Sequence, residues 1–462
     1  MSITSEEINF LVYRYLQESG FSHSAFTFFN ESTIPRSNIN GANVPPGSLI
    51  SLVQRGLQYK EMETHLNEDG SEIPCKVPFS IVTPHHCKIE DADEEMKDSG
   101  DENDVSIPEE EVKLLKGHSK EVYVCAWNNK KDILASGSAD TTARIWRVRS
   151  DPSKKGATPT TVLPHQNPAT TDNEEVSVIR WDPTGNFLAT GAVDGVARIW
   201  TAKGTLKHTL VQHKEPIFSL KWNKEGNFLL SGSADHTAIV WDVAAGEMKQ
   251  QFAFHGAPTL DVDWKDNKTF ATCSSDHSIH VGEIGTTQSI RRFDGHKNEV
   301  NTIKWCPAGR LLASCSDDCT AKLWSMDAKE ALYDFKEHEK ELYTIEWSPT
   351  GAGTANPNRD LMLASASFDS TVRLWNIEQG RCLHNLAKHT DPVYSISFSP
   401  DGQYLASGSF DHYVHIWSVS TGEVVKSYRG GGGIFEVCWN TKGDKIAACF
   451  DTNNIAVIDF RM

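Results

Sequence analysis

The chain has no run of 18 or more apolar residues, and no basic stretch followed by an apolar core at its N-terminus. The first absence leaves nothing to cross a bilayer as a helix, and the second leaves no export signal. A soluble, non-secreted protein with no membrane partner is expected. No paired cysteine framework is present either: Cys75, Cys87, Cys125, Cys273, Cys306, Cys315, Cys319, Cys382, Cys438 and Cys449 are scattered, several of them inside strand patterns. That distribution reads as reduced intracellular thiols. Basic runs are scarce, since Lys130-Lys131 and Lys154-Lys155 are too short for an import signal. Without a stripe of cations there is no counterion release to drive direct binding of nucleic acid. His85-His86-Cys87 has no second ligand pair at usable spacing, so neither a metal nor another cofactor is expected.

The formal charge of -17 is concentrated in one place. Between Glu90 and Glu111 twelve acids stand against Lys97, a net of -11, while the residues before and after this stretch carry -3 each. So charged a segment buries too little apolar surface to fold, and 87–111 reads as an acidic disordered linker. It serves as a solvated spacer or as a strip that attracts basic tails.

Against these absences stands a unit that returns eight times. Its turn aspartates are Asp140, Asp194, Asp235, Asp276, Asp318, Asp369, Asp411 and Asp451, with intervals of 54, 41, 41, 42, 51, 42 and 40 residues. The two long intervals hold polar insertions at 150–174 and 350–359. A period near 40 residues marks stacked modules. Inside a unit, runs such as Val122–Trp127, Ile133–Ser136 and Ala143–Trp146 are separated by turn residues, which is strand chemistry. One small sheet cannot bury both faces, so the units should close radially into a ring. Val112–Gly117 precedes the first full unit and supplies the outer strand of the last, which locks the circle.

Gly117-His118, Gly295-His296 and Trp241-Asp242 resemble the dipeptides of WD-repeat propellers, and the likeness runs from about residue 113 to the C-terminus. The fold class is mainly β: an eight-bladed WD-repeat propeller, 112–462, preceded by a small all-α module. The resemblance implies a hydrogen-bonded His/Ser/Asp/Trp tetrad inside a blade. Full sets are His118, Ser136, Asp140 and Trp146; His213, Ser231, Asp235 and Trp241; His296, Ser314, Asp318 and Trp324; His338, Ser365, Asp369 and Trp375; and His389, Ser407, Asp411 and Trp417. Unit two has Thr190, Asp194 and Trp200, with His165 displaced by the insertion. Unit four has His255, Thr272 and Asp276 but Gly282 in place of Trp, and unit eight keeps Asp451 alone among Gly430, Ala447 and Val457. These three are expected to rely on packing. A recurring His, Ser and Asp also suggests a hydrolase, but a nucleophile needs one uniquely activated, exposed site, whereas buried polar groups repeated round a ring satisfy one another. No catalytic residue is assigned.

Ahead of the linker, Thr4-Ser-Glu-Glu7 has capping-box spacing, and Ile8, Leu11, Val12, Tyr15 and Leu16 follow at helical periodicity up to Gly20. Ser22 can cap a second helix whose Ala25, Phe26, Phe28 and Phe29 are too apolar for so short a module to bury alone. Oligomerisation through Ile8, Leu11, Leu16, Phe21 and Phe28 is the expected remedy. Residues 4–36 look like a LisH motif, known for dimerising; Val44-Pro-Pro46 opens a third helix with Leu49, Ile50, Leu52, Val53, Leu57 and Tyr59, resembling an F-box-like segment. The order of LisH (1–38), F-box-like segment (39–86), linker and eight-bladed propeller is that of the transducin beta-like 1 family, and 12–26, 363–375 and 433–439 look like its members. The linker departs from the Ala/Gln-rich one expected of vertebrate members.

The resemblance implies a non-enzymatic, nuclear scaffold of the NCoR/SMRT corepressor complex beside a class I histone deacetylase. It also implies links to histone tails, nuclear receptors, β-catenin and ubiquitin-proteasome machinery, and self-association as a dimer or tetramer. A ubiquitin-ligase substrate adaptor is the alternative; a microtubule-motor type of LisH propeller lacks the heptad coiled coil it needs here. The residues themselves say where a peptide would dock. Positions flanking the first inner-strand residue, and the residue before each turn Asp, should reach the narrow face: Glu121, Tyr123, Phe218, Glu299, Asp317, Glu341, Tyr343, Phe368, Tyr394, Phe410 and Phe435 among them. That face is acidic and aromatic, suited to a basic segment, with a hot spot expected on blades five to eight.

Overall fold

The computed structural model describes residues 4–18, 48–64, 106–148, 158–165 and 174–460, with isolated positions between 28 and 47. The chain divides into two compact units, residues 1–99 and 100–462.

In the first unit, α1 (Ser5–Glu18) and α2 (Ser48–Thr64) are in contact. The capping box forms: the Thr4 N–H donates to Glu7 Oε2 at 2.7 Å, and the Glu7 N–H donates to Thr4 Oγ1 at 3.2 Å. Two otherwise orphaned donors are thereby satisfied. At the other end, Glu18 accepts the Gly47 N–H at 2.8 Å, tying α1 to the start of α2. Phe10 and Leu11 are buried, Leu16 is half-buried and Ile8 is exposed. Leu11 therefore packs within its own unit, and Ile8 is the member of the expected self-association set that α1 leaves exposed. Phe28 is half-buried, while Phe21, most of the expected second helix and all of 65–105 lie outside the described residues. Along α2, Ile50, Leu52, Val53 and Tyr59 are all exposed.

The second unit contains eight four-stranded antiparallel sheets, each a blade. Seven are built from consecutive strands; blade 1 runs Val122–Trp127, Ile133–Ser138, Thr142–Arg147 and Thr160–Pro164. Blade 8 takes Ile434–Trp439, Lys445–Phe450 and Asn454–Asp459 from the C-terminal end and its outer strand, Val112–Lys116, from the N-terminal side, with Leu115 opposite Ile455. The two ends of the domain thus pair, and the ring has no open edge at its seam. Residues 106–111, expected as linker from their acidic composition, are folded. Ile107 is buried among Val414, Ile434 and Phe460, and its N–H donates to the Ser427 carbonyl at 2.9 Å. The described part of the second unit therefore starts at Ser106, with Ile107 as its first buried apolar residue.

Leu115 is buried with Trp127, Trp146 and Ile455 at the seam, whereas its neighbour Leu114 is exposed. Leu115→Ala is expected to lower the unfolding free energy by about 2–4 kcal/mol, and Leu114→Ala to leave it within about 0.5 kcal/mol. Urea unfolding midpoints of the two variants check this.

At each turn Asp the chain must reverse tightly. The following residue takes a left-handed φ between 64° and 75° in blades 1 to 7: Thr141, Gly195, His236, His277, Cys319, Ser370 and His412; in blade 8 the left-handed residue, Asn453, stands two places beyond Asp451. Only Gly195 adopts it without strain. In blades 1, 3, 5 and 6 the aspartate holds this turn in place: Asp140 Oδ1 accepts from both the Thr142 N–H and its hydroxyl, and Asp235, Asp318 and Asp369 repeat the arrangement.

Candidate functional site: the channel mouth of the propeller

The tetrads fix the loops that form the mouth. In blade 1, His118 Nδ1 lies 2.9 Å from Asp140 Oδ2, His118 Nε2 lies 2.7 Å from Ser136 Oγ, and the Trp146 indole donates to the same Oγ at 2.8 Å. Blades 3, 5, 6 and 7 show the same contacts through His213, His296, His338 and His389. Burial works to raise the Asp140, Asp318 and Asp369 carboxyls, yet hydrogen bonds from His and Thr outweigh it and hold them well below the usual range. Ser136 is fully buried with the indole already on its oxygen. Despite a hydrolase-like order of groups, a substrate carbonyl has no approach to it.

Two of the three departing blades do not rely on packing alone. In blade 2, His165 Nε2 reaches Thr190 Oγ1 at 2.7 Å and Trp200 donates there at 3.0 Å, while Arg198 takes over Asp194 at 3.0 Å. Thr160–Pro164 pairs as the outer strand of blade 1 and delivers His165 to its slot. In blade 4, His255 contacts Asp276 at 3.0 Å and Thr272 at 2.8 Å. The missing Trp is replaced by Phe rings: a Cβ on Gly282 would stand 2.7 Å from Phe270 and 3.0 Å from Phe254. Blade 8 does depend on packing, with Phe450 crowding Gly430 and Asp451 Oδ1 buried without a partner among the described residues.

The inner strands surround a channel of about 810 Å³. Tyr123, Phe218, Tyr343, Tyr394 and Phe435 line it. Tyr343, Phe368, Tyr394, Phe410 and Phe435 form one aromatic cluster with ring centroids 5.2–6.5 Å apart. Tyr123 joins it, 5.6 Å from Phe435. The arc therefore spans blades 6, 7, 8 and 1 rather than five to eight. Closure of the ring brings together residues 312 positions apart in the chain, a neighbourhood that the periodicity does not announce. Tyr343 and Phe410 are 45% and 43% exposed, enough surface for a partner to cover. Phe218 is as exposed but stands apart from the arc, with no ring contact among the described residues.

The acids surround these rings. Glu121 and Glu341 are half-buried, and their carbonyls hold the Ala139 and Phe368 N–H groups before the turns. Glu299 accepts from the Ser275 hydroxyl at 3.1 Å, and Asp317 from Asn301 Nδ2 at 2.6 Å. Burial, then Glu299 and Glu341, pushes the Asp317 carboxyl up, while Asn301 pulls it down.

Deeper in the channel lies a belt of charges that the motif reading missed: Arg180, Lys221, Asp261, Asp263, Lys304, Glu346 and Glu436. Most of these immediately precede the inner-strand Trp, so the recurring charge-Trp dipeptides (Arg180-Trp181, Lys221-Trp222, Asp263-Trp264, Lys304-Trp305, Glu346-Trp347) were the available signal. Several of its carboxylates join adjacent blades. Asp261 accepts the Ile303 N–H at 3.1 Å, Asp263 the Trp305 N–H at 2.7 Å, and Glu436 the Cys125 N–H across the seam at 2.7 Å. Burial pushes Asp263, Glu346 and Glu436 up and Lys221 down, against the pull of the opposite charges facing them. The belt braces the walls of the channel.

Comparison with known proteins agrees with this architecture. The WD domain, G-beta repeat profile matches residues 109–147, 159–201, 204–242, 287–325, 329–376 and 380–418, and the LisH profile matches 6–32. The blades that escape the repeat profile are 4 and 8, which lack the tetrad Trp. The mouse F-box-like/WD repeat-containing protein TBL1X is 49% identical, with all of this chain and all of the relative covered. The human TBL1Y protein is 50% identical, covering 99% of this chain and 100% of its own length. Among solved structures, the C-terminal WD40 domain of Sif2 superposes with a TM-score of 0.67 at 25% identity, covering 78% of this chain and 99% of that domain.

Proposed function

This chain belongs to the TBL1 family of F-box-like/WD repeat-containing proteins, and from that premise we propose that it is the nuclear, non-enzymatic scaffold of an NCoR/SMRT-type histone deacetylase complex. As a WD-repeat scaffold of a transcription-regulating family, it works by holding other polypeptides. In the proposed arrangement the N-terminal module binds corepressor and further copies of the chain. The channel mouth takes histone tails or transcription factors, and ubiquitin-proteasome machinery is recruited for corepressor exchange.

The observation that carries this reading is the mouth itself: exposed aromatic rings inside a rim of carboxylates. Such a surface buries an anchor side chain while pairing flanking Lys or Arg, and suits a basic tail. Copies joined through the N-terminal module would give weak tail contacts avidity.

Replacing Tyr394 and Phe410 together with alanine is expected to weaken capture of basic histone-tail peptides about tenfold or more while the thermal unfolding midpoint stays near that of the parent. Unchanged affinity would remove the mouth from the reading. Purification of the tagged protein from nuclear extract, with partners identified by mass, tests the assembly: deacetylase with corepressor supports it. A substrate adaptor of a ubiquitin ligase is the second reading, favoured by the exposed apolar residues Ile50, Val53 and Tyr59 on α2 in the segment read as F-box-like. Cullin-type subunits in the same purification would select it.

A further inference from the structure

We propose, resting on the peptide-capture reading above, that the aromatic arc at the channel mouth is a cage for the quaternary ammonium of a trimethylated lysine in a basic peptide. Four rings lining one cavity carry the argument. Tyr343 meets Tyr394 at 5.2 Å and 77°, Tyr394 meets Phe435 at 6.3 Å and 68°, and Phe435 meets Tyr123 at 5.6 Å and 73°. Each wall is close to perpendicular to the next. Two perpendicular ring faces that each stand about 4.5 Å from a shared cation have centroids about 6.4 Å apart, within the range where the ring quadrupole attracts a cation. The Tyr394–Phe435 spacing of 6.3 Å matches that geometry, and the flanking pairs at 5.2 Å and 5.6 Å stand closer, edge to face.

The rings are held in place from behind. Phe368 stacks on Tyr343 at 6.0 Å and 17°, and Phe410 packs against both Tyr394 and Phe435. The Phe410 ring lies over Gly433, where a Cβ would come within 2.5 Å of it. A cage on such supports is pre-formed, which saves the ordering of side chains on binding.

The preference for a methylated over an ordinary ammonium follows from the acceptors. Glu175 already accepts from the Tyr123 hydroxyl at 3.3 Å, and Glu436 accepts the Cys125 N–H while facing Arg180 at 3.9 Å. These carboxylates add negative potential, which with burial raises the Tyr123 and Tyr343 hydroxyls above their ordinary range. They do not offer the three free acceptors that an unmodified ammonium gives up on leaving water. A trimethylammonium has no N–H to satisfy and spreads its charge over methyl groups that fit against ring faces. The occupant is a peptide residue rather than a free small cation because exposed Phe410 and the carboxylates of Glu121 and Glu341 extend the surface beyond the cage, toward flanking residues of basic character.

The test uses the full-length protein and fluorescence anisotropy with one short labelled Lys/Arg-rich peptide. Its central lysine is unmodified, trimethylated, or replaced by the neutral tert-butyl isostere of trimethyllysine. The trimethylated peptide is expected to bind about tenfold tighter than either of the others. Tyr394→Ala should abolish that difference, and Tyr394→Phe should keep it. Equal affinity for the charged and neutral forms, or for the methylated and unmodified forms, overturns the cage while leaving peptide capture standing. Failure of all three peptides to bind overturns both readings. Because the isostere comparison is made on the unmutated protein, the result does not depend on any variant folding.

Discussion

Trp375→Ala is expected to lower the unfolding free energy by about 3–5 kcal/mol, the range for removing a buried Trp from a core that cannot collapse onto the space. Trp375 is fully buried; its ring stacks on Phe335 at 4.4 Å and its N–H donates to Ser365 at 2.9 Å. Truncation leaves a void and frees the serine oxygen on which His338 also depends, at 2.8 Å. The turn beyond Asp369 should loosen as well, because His338 Nδ1 is bonded to that carboxylate at 2.7 Å and Ser370 needs its left-handed φ of 66° held. Trp375→Phe should cost less, since most of the packing survives and only the N–H is lost. Denaturant unfolding of both variants, read alongside hydrogen exchange at the 368–371 turn, checks the size of the effect and its route. A loss below about 1 kcal/mol for the alanine variant would show that the blade absorbs the gap, as blade 4 does with Phe254 and Phe270 around Gly282.

The second large effect is acid sensitivity. His165, His280 and His415 are buried, and desolvation, reinforced by Arg198, His255 and His389 respectively, lowers them to about 3, about 4 and about 3. In the unfolded chain each takes a proton near pH 6.5. Below that pH the unfolded state binds more protons than the folded one, so stability falls as the pH falls, until the folded-state values are reached. Each histidine contributes up to about 1.4 kcal/mol per pH unit. The channel carboxyls act with the opposite sign. Asp263, Glu346 and Glu436, raised in the folded state, are protonated there before they are in the unfolded chain, and offset part of the loss toward pH 4. The tetrad aspartates are held low and keep their contribution until the pH drops below about 4, the ordinary carboxylate value. The net expectation is a loss on the order of 3 kcal/mol between pH 7 and 5, followed by a steeper collapse when the aspartates titrate. Urea midpoints across this range measure it. His415→Ile, which installs the residue type that blade 3 has at the equivalent Ile239, should remove about one proton from the uptake on unfolding. A pH-independent midpoint from 7 to 5 would contradict the account.

The position shared by His280 and His415 shows how the repeats differ under one geometry. Opposite each tetrad Ser, Thr or Ala the ring carries Arg144, Arg198, Ile239, His280, Lys322, Arg373, His415 and Val457. The strand pairing accepts all of them, and in blade 2 Arg198 itself bonds the turn Asp194 where blades 1 and 3 to 7 use His. Evenness of the ring therefore does not require evenness of the sequence, and blades 4 and 8 can lose the signature without losing the sheet.

What the sequence determined by itself was whatever depends on local spacing. Eight turn aspartates fix the number of blades; strand alternation fixes which residues face inward; Val112–Lys116, displaced from its blade by the whole ring, could be assigned because a unit was short of one strand. The capping box at Thr4 and Glu7 was legible for the same reason, its two bonds spanning three residues. Tertiary structure decided whatever depends on closure. His165 returned to its tetrad because Thr160–Pro164 pairs as the outer strand of blade 1 and ends beside Thr190, Ile107 became core only because blades 7 and 8 offer it a groove, and Leu11 was buried because α2 packs near it. Tyr123 became the neighbour of Phe435 because the last blade meets the first. The physical reason is that a periodic pattern records which side of a strand a residue occupies, while the identity of its partner across the channel is set by the curvature of the completed ring.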